Sequence, residues 1–396
     1  MTVTLRYTEI PDLAEDVSSL REIRHHIHQH PELAFEELQT AAFVAEKLAE
    51  WGWGVTCGVG ETGVVGTLKV GEGKRSIGLR ADMDALPIVE QTGKPYASVT
   101  HGKMHACGHD GHTTMLLGAA RHLARTQRFS GTIHLYFQPA EERSVPSGSQ
   151  KMIANGLFTR FPCDAVFGAH NHPGVPLGTF LFRKGPFMAA GDKVTITIEG
   201  VGGHAARPHL TVDPVVVASS IVMALQTIVA RNVDPAKPAV VTVGSLHAGT
   251  ANNVISDLAK LELSVRSFSE DVGALLKRRI TELVQAQASS YGAKAVVAYV
   301  QGHPVVVNSD AETEFAVQVA RELVGEDSVV ANMDLLMGSE DFAFMLQERP
   351  GSFFCIGNGA GEDACMVHNP NYDFNDANLP IGAAYWARLA ERFLAQ

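Results

Sequence analysis

Strand-like and helix-like patterns of apolar residues alternate along most of this chain. Apolar residues recur at every second position in 76–81 and 131–138, the period of a strand, whereas 111–127 has the period of a helix. A short apolar run at 164–169 is typical of a buried strand. Strands that alternate with helices form mostly parallel sheets with helices on their faces. We therefore expect an α/β fold.

The pattern changes near residue 187, where strands become more frequent. The predicted order of elements in 187–303 is β-α-β-β-α-β, which is the order of a ferredoxin-like α+β unit. Helical periods resume after this segment and would complete the first domain. The sequence thus predicts a discontinuous domain of residues 1–186 and 304–396, interrupted by an inserted domain of residues 187–303.

Composition and charge exclude several classes of protein. A net charge of −11 lacks the basic surface that nucleic-acid binding needs. Five cysteines without a CxxC pair favour a reducing compartment, so we expect a cytoplasmic protein. The first residues lack the basic and apolar segments of a signal peptide. No apolar stretch reaches the ~18 residues of a membrane span, so we expect no membrane association.

Clusters of acidic residues and histidines follow three of the predicted strands directly. They are DMD at 82–84, EE at 141–142 and HNH at 170–172. Ligands of open α/β sheets bind at the carboxyl ends of the strands. A solvated loop is the more common explanation for any one such cluster. Three clusters at the same edge of a sheet nevertheless predict a shared site.

The densest cluster, HACGHDGH at 105–112, precedes the helix at 111–127. A helix N-terminus favours the thiolate form of Cys107, and thiolate, imidazole and carboxylate together suit zinc or a similar divalent ion. A catalytic cysteine without metal, or a buried thiol beside surface histidines, is the alternative. Glu141 and Glu142 would point to opposite sides of an extended backbone, one as metal ligand and one as general base; an exposed acidic turn is the alternative. Their spacing alone does not assign the two roles.

Further candidates lie in the inserted domain and in the C-terminal third of the chain. His204 lies in a glycine-flanked loop, and Asn253 and Arg266 are suited to bind a carboxylate, Arg266 bidentately. An exposed polar residue is an equally good explanation for each of them. Ser339 is expected to cap a helix, and His368 lies in a Pro/Asn loop, where a lone histidine is usually a surface residue.

Seven motifs with these residues occur together and in one order. They are ADMDALP (81–87), MHACGHDGH (104–112), FQPAEE (137–142), GAHNHP (168–173), GGHAARPH (202–209), GSEDFAF (338–344) and HNPNYDFND (368–376). The set resembles the two-metal peptidase and amidohydrolase family that includes carboxypeptidase G-like enzymes and aminoacylases. It looks most like the branch of hippurate hydrolase, bacterial N-acyl-amino-acid amidohydrolases, N-acetyldiaminopimelate deacetylase and plant auxin (IAA)-conjugate hydrolases.

The resemblance implies a catalytic domain with an inserted lid and dimerisation domain, and two divalent ions per subunit. These ions would be Zn²⁺ or Mn²⁺, with Co²⁺ or Ni²⁺ also compatible. Glu141 resembles the general base, and His204 resembles a lid histidine that reaches the substrate carbonyl from the other subunit of a dimer. Asn253 and Arg266 resemble lid residues that hold the substrate carboxylate. The residues that resemble the metal ligands are Cys107, His109, Glu142, His170 and His368.

The residues around these positions refine the resemblance. Asp84 matches an aspartate that supports the metal ligands. Asp82 stands where the peptidase branches have a histidine ligand, which favours the cysteine-containing amidohydrolase branch. His172 falls outside the ligand positions. The segment 143–150 replaces a glycine-rich stretch of the relatives, and we expect it to affect substrate preference rather than reaction type.

The sequence therefore predicts a metal-dependent amidohydrolase that cleaves N-acyl-L-amino acids, of the hippurate type, into a carboxylic acid and a free amino acid. A dipeptidase or carboxypeptidase of the same family is the alternative. A catalytically silent binding protein is disfavoured because every matched ligand and base position has a competent residue. A metal-free thiol hydrolase that uses Cys107 would not need the carboxylates. The expected partners are a small-molecule substrate and further copies of the chain, as a homodimer or homotetramer.

Overall fold

The computed structural model describes residue 13 and residues 16–361 and 364–395. The described residues form two compact units. The first unit contains those up to Gly185 together with Val307–Asp334 and those from Asp341 onward, and the second contains Pro186–Val306 and Leu335–Glu340. The first residues, where no signal peptide is expected, lie mostly outside the described residues.

The longer helices follow the apolar periods of the sequence. One of them, the helix predicted at 111–127, begins two residues earlier, so that His109 is its first residue. In chain order the α-helices of the described residues are α1 (Val17–Gln29), α2 (Leu38–Glu50), α3 (His109–Thr126), α4 (Gly148–Ala154), α5 (Leu157–Arg160), α6 (Pro214–Asn232), α7 (Glu270–Ser290), α8 (Asp310–Val324), α9 (Phe342–Glu348) and α10 (Leu379–Phe393).

The strands include several that the sequence pattern did not predict. In chain order they are β1 (Gly54–Val59), β2 (Gly63–Val70), β3 (Ser76–Asp82), β4 (Gly131–Gln138), β5 (Ala165–His172), β6 (Phe180–Leu181), β7 (Gly185–Met188), β8 (Ala190–Glu199), β9 (Gly203–His204), β10 (Ala239–Ala248), β11 (Val254–Ile255), β12 (Leu258–Ser267), β13 (Lys294–His303), β14 (Val306–Asn308), β15 (Val329–Val330) and β16 (Gly351–Gly357). Strand β16 is buried at every residue, so it lacks the alternation that identifies a half-exposed strand.

The first unit is built on an eight-stranded sheet with the strand order β1-β2-β4-β3-β5-β16-β6-β15. Its central strands β4, β3, β5 and β16 are parallel to one another, and β1 and β2 extend the β4 edge in antiparallel fashion. The expected α/β fold with a mostly parallel sheet is confirmed. Because the central strands are parallel, Asp82, Gln138 and His172 end their strands at the same edge of the sheet.

Helix α3 is fixed in the core of the first unit, where α10 packs against it. Gly118 of α3 and Gly382 of α10 make this approach possible, since an added Cβ would lie 2.8 Å from Ala383 Cβ in the first case and would overlap Met115 in the second. Most residues of both helices are buried. The loop that precedes α3 therefore starts from a rigid support.

The second unit is an α+β structure with its own core. Its four-stranded antiparallel sheet has the order β10-β12-β8-β13, and the chain runs β8-α6-β10-β12-α7-β13. This is the ferredoxin-like order. Apolar side chains of both helices pack on alternate residues of the strands, among them Ile196, Leu261, Ile221 and Ile280. A role of this unit as a lid or dimerisation domain stays a prediction.

Helix α6 corrects the expectation about membrane spans. With 19 residues, Pro214–Asn232 is long and apolar enough to cross a membrane by length and composition alone. Its buried residues, among them Val217, Ile221 and Leu225, belong to the core of the second unit. The core helix of a globular protein meets the same criteria, so this helix is weak evidence for a membrane.

The contact between α3 and α10 gives a stability prediction. Gly382→Ala would press a methyl group onto Met115, whose Cγ would lie only 2.8 Å away. We expect the free energy of unfolding to fall by about 1–3 kcal/mol in urea titrations, the usual cost of overpacking a core. The control is Gly273→Ala in α7, whose added Cβ would meet only the Ser267 hydroxyl, at 3.3 Å. An unchanged unfolding midpoint for Gly382→Ala would contradict this packing.

Candidate metal centre

Six side chains form one connected donor cluster beside the carboxyl ends of the central strands. The potential ligand atoms of Cys107, His109 and His170 all lie within 4.8 Å of one another. The same holds for Cys107 with Glu142 and His368, and for His109 with both glutamates of the pair. The donor cluster thus consists of the five predicted ligands and the predicted base, namely Cys107, His109, Glu141, Glu142, His170 and His368.

The loop before α3 brings Cys107 and His109 to the cluster through a glycine that no other residue can replace without strain. Gly108 has φ +95°, in the left-handed region. An added Cβ would collide with the side-chain nitrogen of Asn171 and lie 2.6 Å from the Tyr372 hydroxyl. Asn171 also donates from Nδ2 to the carbonyl oxygen of Cys107 over 2.6 Å. These contacts fix the loop against β5.

Two histidines of the cluster have the tautomer that metal binding requires. The Nδ1 atoms of His109 and His170 lie 2.9 and 2.7 Å from the backbone carbonyl oxygens of Asp84 and Asn171. Because a carbonyl oxygen can only accept, each Nδ1 carries a hydrogen, so that in the neutral form of either ring Nε2 offers a lone pair. His109 Nε2 is buried and has no hydrogen-bond partner among the described residues, and His170 Nε2 lies 3.3 Å from Cys107 Sγ. This donor set fits a divalent cation.

The glutamate pair lies in a turn, which corrects the expectation of an extended backbone. Ala140 has φ +51°, in the left-handed region, although it is not glycine, and the next two residues form the turn. Asp84 accepts hydrogen bonds from the backbone nitrogens of Glu141 and Glu142, each with a nitrogen–oxygen distance of 3.0 Å. As a result, both carboxylates lie near His109 instead of on opposite sides of a strand.

His368 belongs to the cluster although it lies in a loop. Its backbone, at φ +65°, donates to the carbonyl oxygen of Ala106 over 2.7 Å. Its Nε2 lies 3.2 Å from Glu142 Oε1. The hydrogen bond to Glu142 raises the pKa of His368. His368 is an exposed loop residue, as expected for a lone loop histidine, but its contact with Glu142 places it in the cluster.

Negative charge dominates the electrostatics of the cluster. Burial, and after it the carboxylates of Glu142, Glu141 and Asp82, raise the pKa of the Cys107 thiol well above its usual range. Burial lowers the pKa of His109, but nearby carboxylates, foremost that of Asp82, outweigh it and raise this pKa to about 10. These carboxylates oppose the thiolate that the helix N-terminus is expected to favour, because they disfavour a further negative charge. A thiolate here calls for cations, which disfavours the metal-free thiol hydrolase.

Asp82 and His112 lie beside the cluster, and both side chains form hydrogen bonds to buried partners. Asp82 Oδ2 accepts from Arg80 over 2.7 Å, and Oδ1 lies 2.7 Å from His112 Nδ1. His112 Nε2 accepts from the backbone nitrogen of Asn171 over 2.9 Å. Burial raises the pKa of Asp82, but the cationic groups, His109 first and Arg80 next, hold it well below its usual range. The sequence analysis missed Arg80, although a charged residue in a buried strand must be paired.

The three substrate-contact candidates lie in the second unit. His204 in β9 is exposed and accepts from the backbone nitrogen of Ala206 at Nδ1 over 3.0 Å. Asn253 is exposed beside the same loop, since its carbonyl oxygen accepts from the backbone nitrogen of Ala205 over 3.1 Å. Arg266 lies on β12 of the same unit.

The guanidinium of Arg266 lies between Ser339 and Gly191, an arrangement that was not predicted from the sequence. Its Nη1 donates to Ser339 Oγ over 2.9 Å. Gly191 on the neighbouring strand makes room, because an added Cβ would overlap Nη1. The expectation that Ser339 caps a helix is wrong: α9 begins only at Phe342, with Asp341 at the N-cap position.

The α/β fold and the donor cluster together are typical of a metallohydrolase. A model of Peptidase family M20/M25/M40 matches residues 78–392. The chain belongs to this family, as the sequence motifs predicted. It is therefore a hydrolase of amide or peptide bonds, and divalent metal ions are its cofactors.

Individual relatives agree with this membership over nearly the whole chain. The chain is 43% identical over 385 residues to a hippurate hydrolase of Campylobacter jejuni, covering 97% of this chain and 99% of that protein. It is 36% identical over 387 residues to thermostable carboxypeptidase 1 of Saccharolobus solfataricus, covering 96% and 97%. A solved Bacillus subtilis structure, described as a dinuclear metal binding peptidase from the M20 family, has a TM-score of 0.82 and 33% identity, covering 96% and 99%.

The tight loop at Gly108 gives a prediction about metal binding. Gly108→Ala would push the loop away from Asn171 and separate Cys107 from His109. We expect Zn²⁺ binding to metal-free protein, measured by calorimetry, to weaken at least about tenfold, as for other changes behind metal ligands. Gly102→Ala is the matched control, because Gly102 has φ +83° but open space around it. Equal Zn²⁺ affinities of the two variants would contradict the role of the contact between Gly108 and Asn171.

Proposed function

We propose that this chain is an amidohydrolase that cleaves N-acyl-L-amino acids, of the hippurate type, to a carboxylic acid and a free amino acid. The observation that carries the proposal is the connected donor cluster, with Glu141 beside the donors of His109 and Glu142. The high identity to a hippurate hydrolase over almost the full length of both chains supports the substrate class.

Two divalent ions are the proposed cofactors, held by Cys107, His109, Glu142, His170 and His368. When bound, such ions supply positive charge that polarises the substrate carbonyl and lowers the pKa of water. Zn²⁺ and Mn²⁺ are the proposed metals, with Co²⁺ and Ni²⁺ as alternatives. The thiol of Cys107 favours zinc or a similarly soft ion.

The two glutamates have different proposed roles because their surroundings differ. A carboxylate oxygen of Glu142 lies within 4.8 Å of the ligand atoms of Cys107 and His368. Glu142 also lies within this distance of a ring nitrogen of His109. Among the proposed ligands, Glu141 is grouped within this distance only with His109 and Glu142. The Glu141 residue is 7% exposed. We assign Glu142 as the metal ligand. Glu141 is the general base that takes a proton from water and delivers it to the leaving amine.

The second unit supplies the proposed substrate contacts. Arg266, anchored through Nη1 on Ser339, would bind the substrate carboxylate bidentately together with Asn253. His204 would donate to the carbonyl oxygen as it becomes an oxyanion. Its exposed position in a loop supports a role across the interface of a homodimer. A homotetramer is the alternative assembly.

Two further features bear on where the protein works and on what it prefers. All five cysteines are free, which supports the proposed cytoplasmic location. Segment 143–150 follows the glutamate pair directly, and the guanidinium of Arg143 lies 5.3 Å from the ring centre of Phe35. This segment borders the cluster, so we propose that it tunes the choice of acyl group.

A dipeptidase or carboxypeptidase is the second candidate, favoured by the similarity to a thermostable carboxypeptidase. A panel of hippurate, its amide and an unblocked dipeptide, with release of amine measured, separates the candidates. We expect hippurate to be the best substrate. The amide should be about 10- to 100-fold worse in kcat/KM, because a charged hydrogen bond to Arg266 is lost. Faster cleavage of the dipeptide would assign the chain to the alternative.

The assignment of the glutamates predicts different defects for two matched variants. Glu141→Gln should keep the metal content and lose about 10²–10⁴-fold in kcat, the usual contribution of a general base. Glu142→Gln should lose metal, measured by elemental analysis after dialysis. Wild-type kcat for Glu141→Gln, or full metal content for Glu142→Gln, would reverse or remove the assignment.

A further inference from the structure

Three successive backbone amides in the turn after β4 each donate to a buried carboxylate. The nitrogen of Ala140 donates to Glu37 Oε1 over 2.8 Å, and those of Glu141 and Glu142 donate to Asp84 over 3.0 Å each. Glu37 is 0% and Asp84 is 1% exposed. Asp84 belongs to a motif that the sequence analysis singled out, whereas Glu37 does not.

Glu37 is itself held rigidly. It directly precedes α2, and Thr62 Oγ1 donates to its Oε2 over 2.6 Å. The opposite side of Ala140 is fixed as well, because its carbonyl oxygen accepts from the backbone nitrogen of Gly148 over 3.0 Å. Both peptide groups of Ala140 are therefore tied to neighbouring segments of the first unit.

The backbone conformation at Ala140 explains why the hydrogen bonds of Glu37 to the Ala140 amide and to Thr62, together called the clamp, are needed. A residue with a Cβ avoids the left-handed region in which Ala140 lies, at φ +51°. If the buried amide of Ala140 had no acceptor, the turn would lower its free energy by moving Ala140 to a negative φ. Such a return would rotate the next residues, Glu141 and Glu142, away from the cluster.

We propose that Glu37 is a positioning residue for the reaction: its carboxyl group locks the turn at Ala140 and thereby sets the directions of Glu141 and Glu142. The role rests on the proposed function, in which Glu142 binds metal and Glu141 moves the proton. Glu37 acts through the backbone of the turn, by way of the Ala140 amide.

A glutamine at this position is a suitable conservative replacement. Burial, and after it the charge of Asp84, raise the pKa of Glu37 to about 7. Near neutral pH a large fraction of this carboxyl group is therefore uncharged, so a neutral acceptor can serve the Ala140 amide. The side-chain oxygen of glutamine accepts that amide, and its NH₂ group can donate to the Thr62 hydroxyl.

The test compares Glu37→Ala, Glu37→Gln and a matched control, Glu32→Ala. Glu32 is a buried carboxylate in the same loop, but it accepts from the backbone nitrogens of Gln39 and Thr40 at the start of α2. For Glu37→Ala we expect kcat to fall about 10- to 100-fold with KM little changed, and Zn²⁺ affinity to fall about tenfold. Glu37→Gln should restore most of both, and Glu32→Ala should lose thermal stability while keeping kcat.

Two results would overturn the proposal. One is a folded Glu37→Ala with wild-type kcat and Zn²⁺ affinity, and the other is an equal fall of kcat in Glu37→Ala and Glu32→Ala. If Glu37→Ala does not fold, Thr62→Val tests the same clamp by removing the donor that orients Glu37. Its kcat and Zn²⁺ affinity should then fall with an unchanged fold, and wild-type values would contradict the clamp. Calorimetry with Zn²⁺ alone needs no substrate, so it judges the role of Glu37 even where the wild type does not cleave hippurate.

Discussion

The buried carboxylate of Asp84 ties together two of the segments that carry the donor cluster, the turn after β4 and the start of α3. It follows β3 and accepts the backbone amides of both glutamates after β4, and its Oδ1 lies 3.2 Å from Nδ1 of His109 at the start of α3. A buried charge is costly unless its hydrogen bonds are complete. The same contacts that satisfy Asp84 therefore hold the cluster in shape, and the excess negative charge that remains is balanced when cations bind.

The parallel sheet explains why the location of the cluster could be predicted from the sequence. Acidic residues and histidines at or just after the carboxyl ends of β3, β4 and β5 meet at one edge, because the carboxyl ends of parallel strands share an edge. The apolar period at 111–127 predicted both ends of α3 to within two residues. The grouping of Cys107, His109 and His170 needed the fold and the family motifs together, since no spacing along the chain defines it.

Other features depend on tertiary structure and leave no local pattern. The turn at Ala140 requires a left-handed conformation that alanine does not signal, so the glutamate pair was expected on an extended backbone. Strand β16 is buried on both faces and has no alternation. Ser339 contacts Arg266 and caps no helix, and Glu37 reaches the site from another segment of the first unit. In each case a contact between distant residues determines the local conformation.

The central claim is that the donor cluster holds a pair of divalent cations and that Cys107 is among their ligands. X-ray absorption spectroscopy of zinc-loaded protein, combined with elemental analysis, tests it most directly. The account predicts two zinc ions per chain and a zinc–sulfur distance of about 2.3 Å that disappears in Cys107→Ser. Zinc bound through nitrogen and oxygen alone, or no stoichiometric binding at all, would contradict the account.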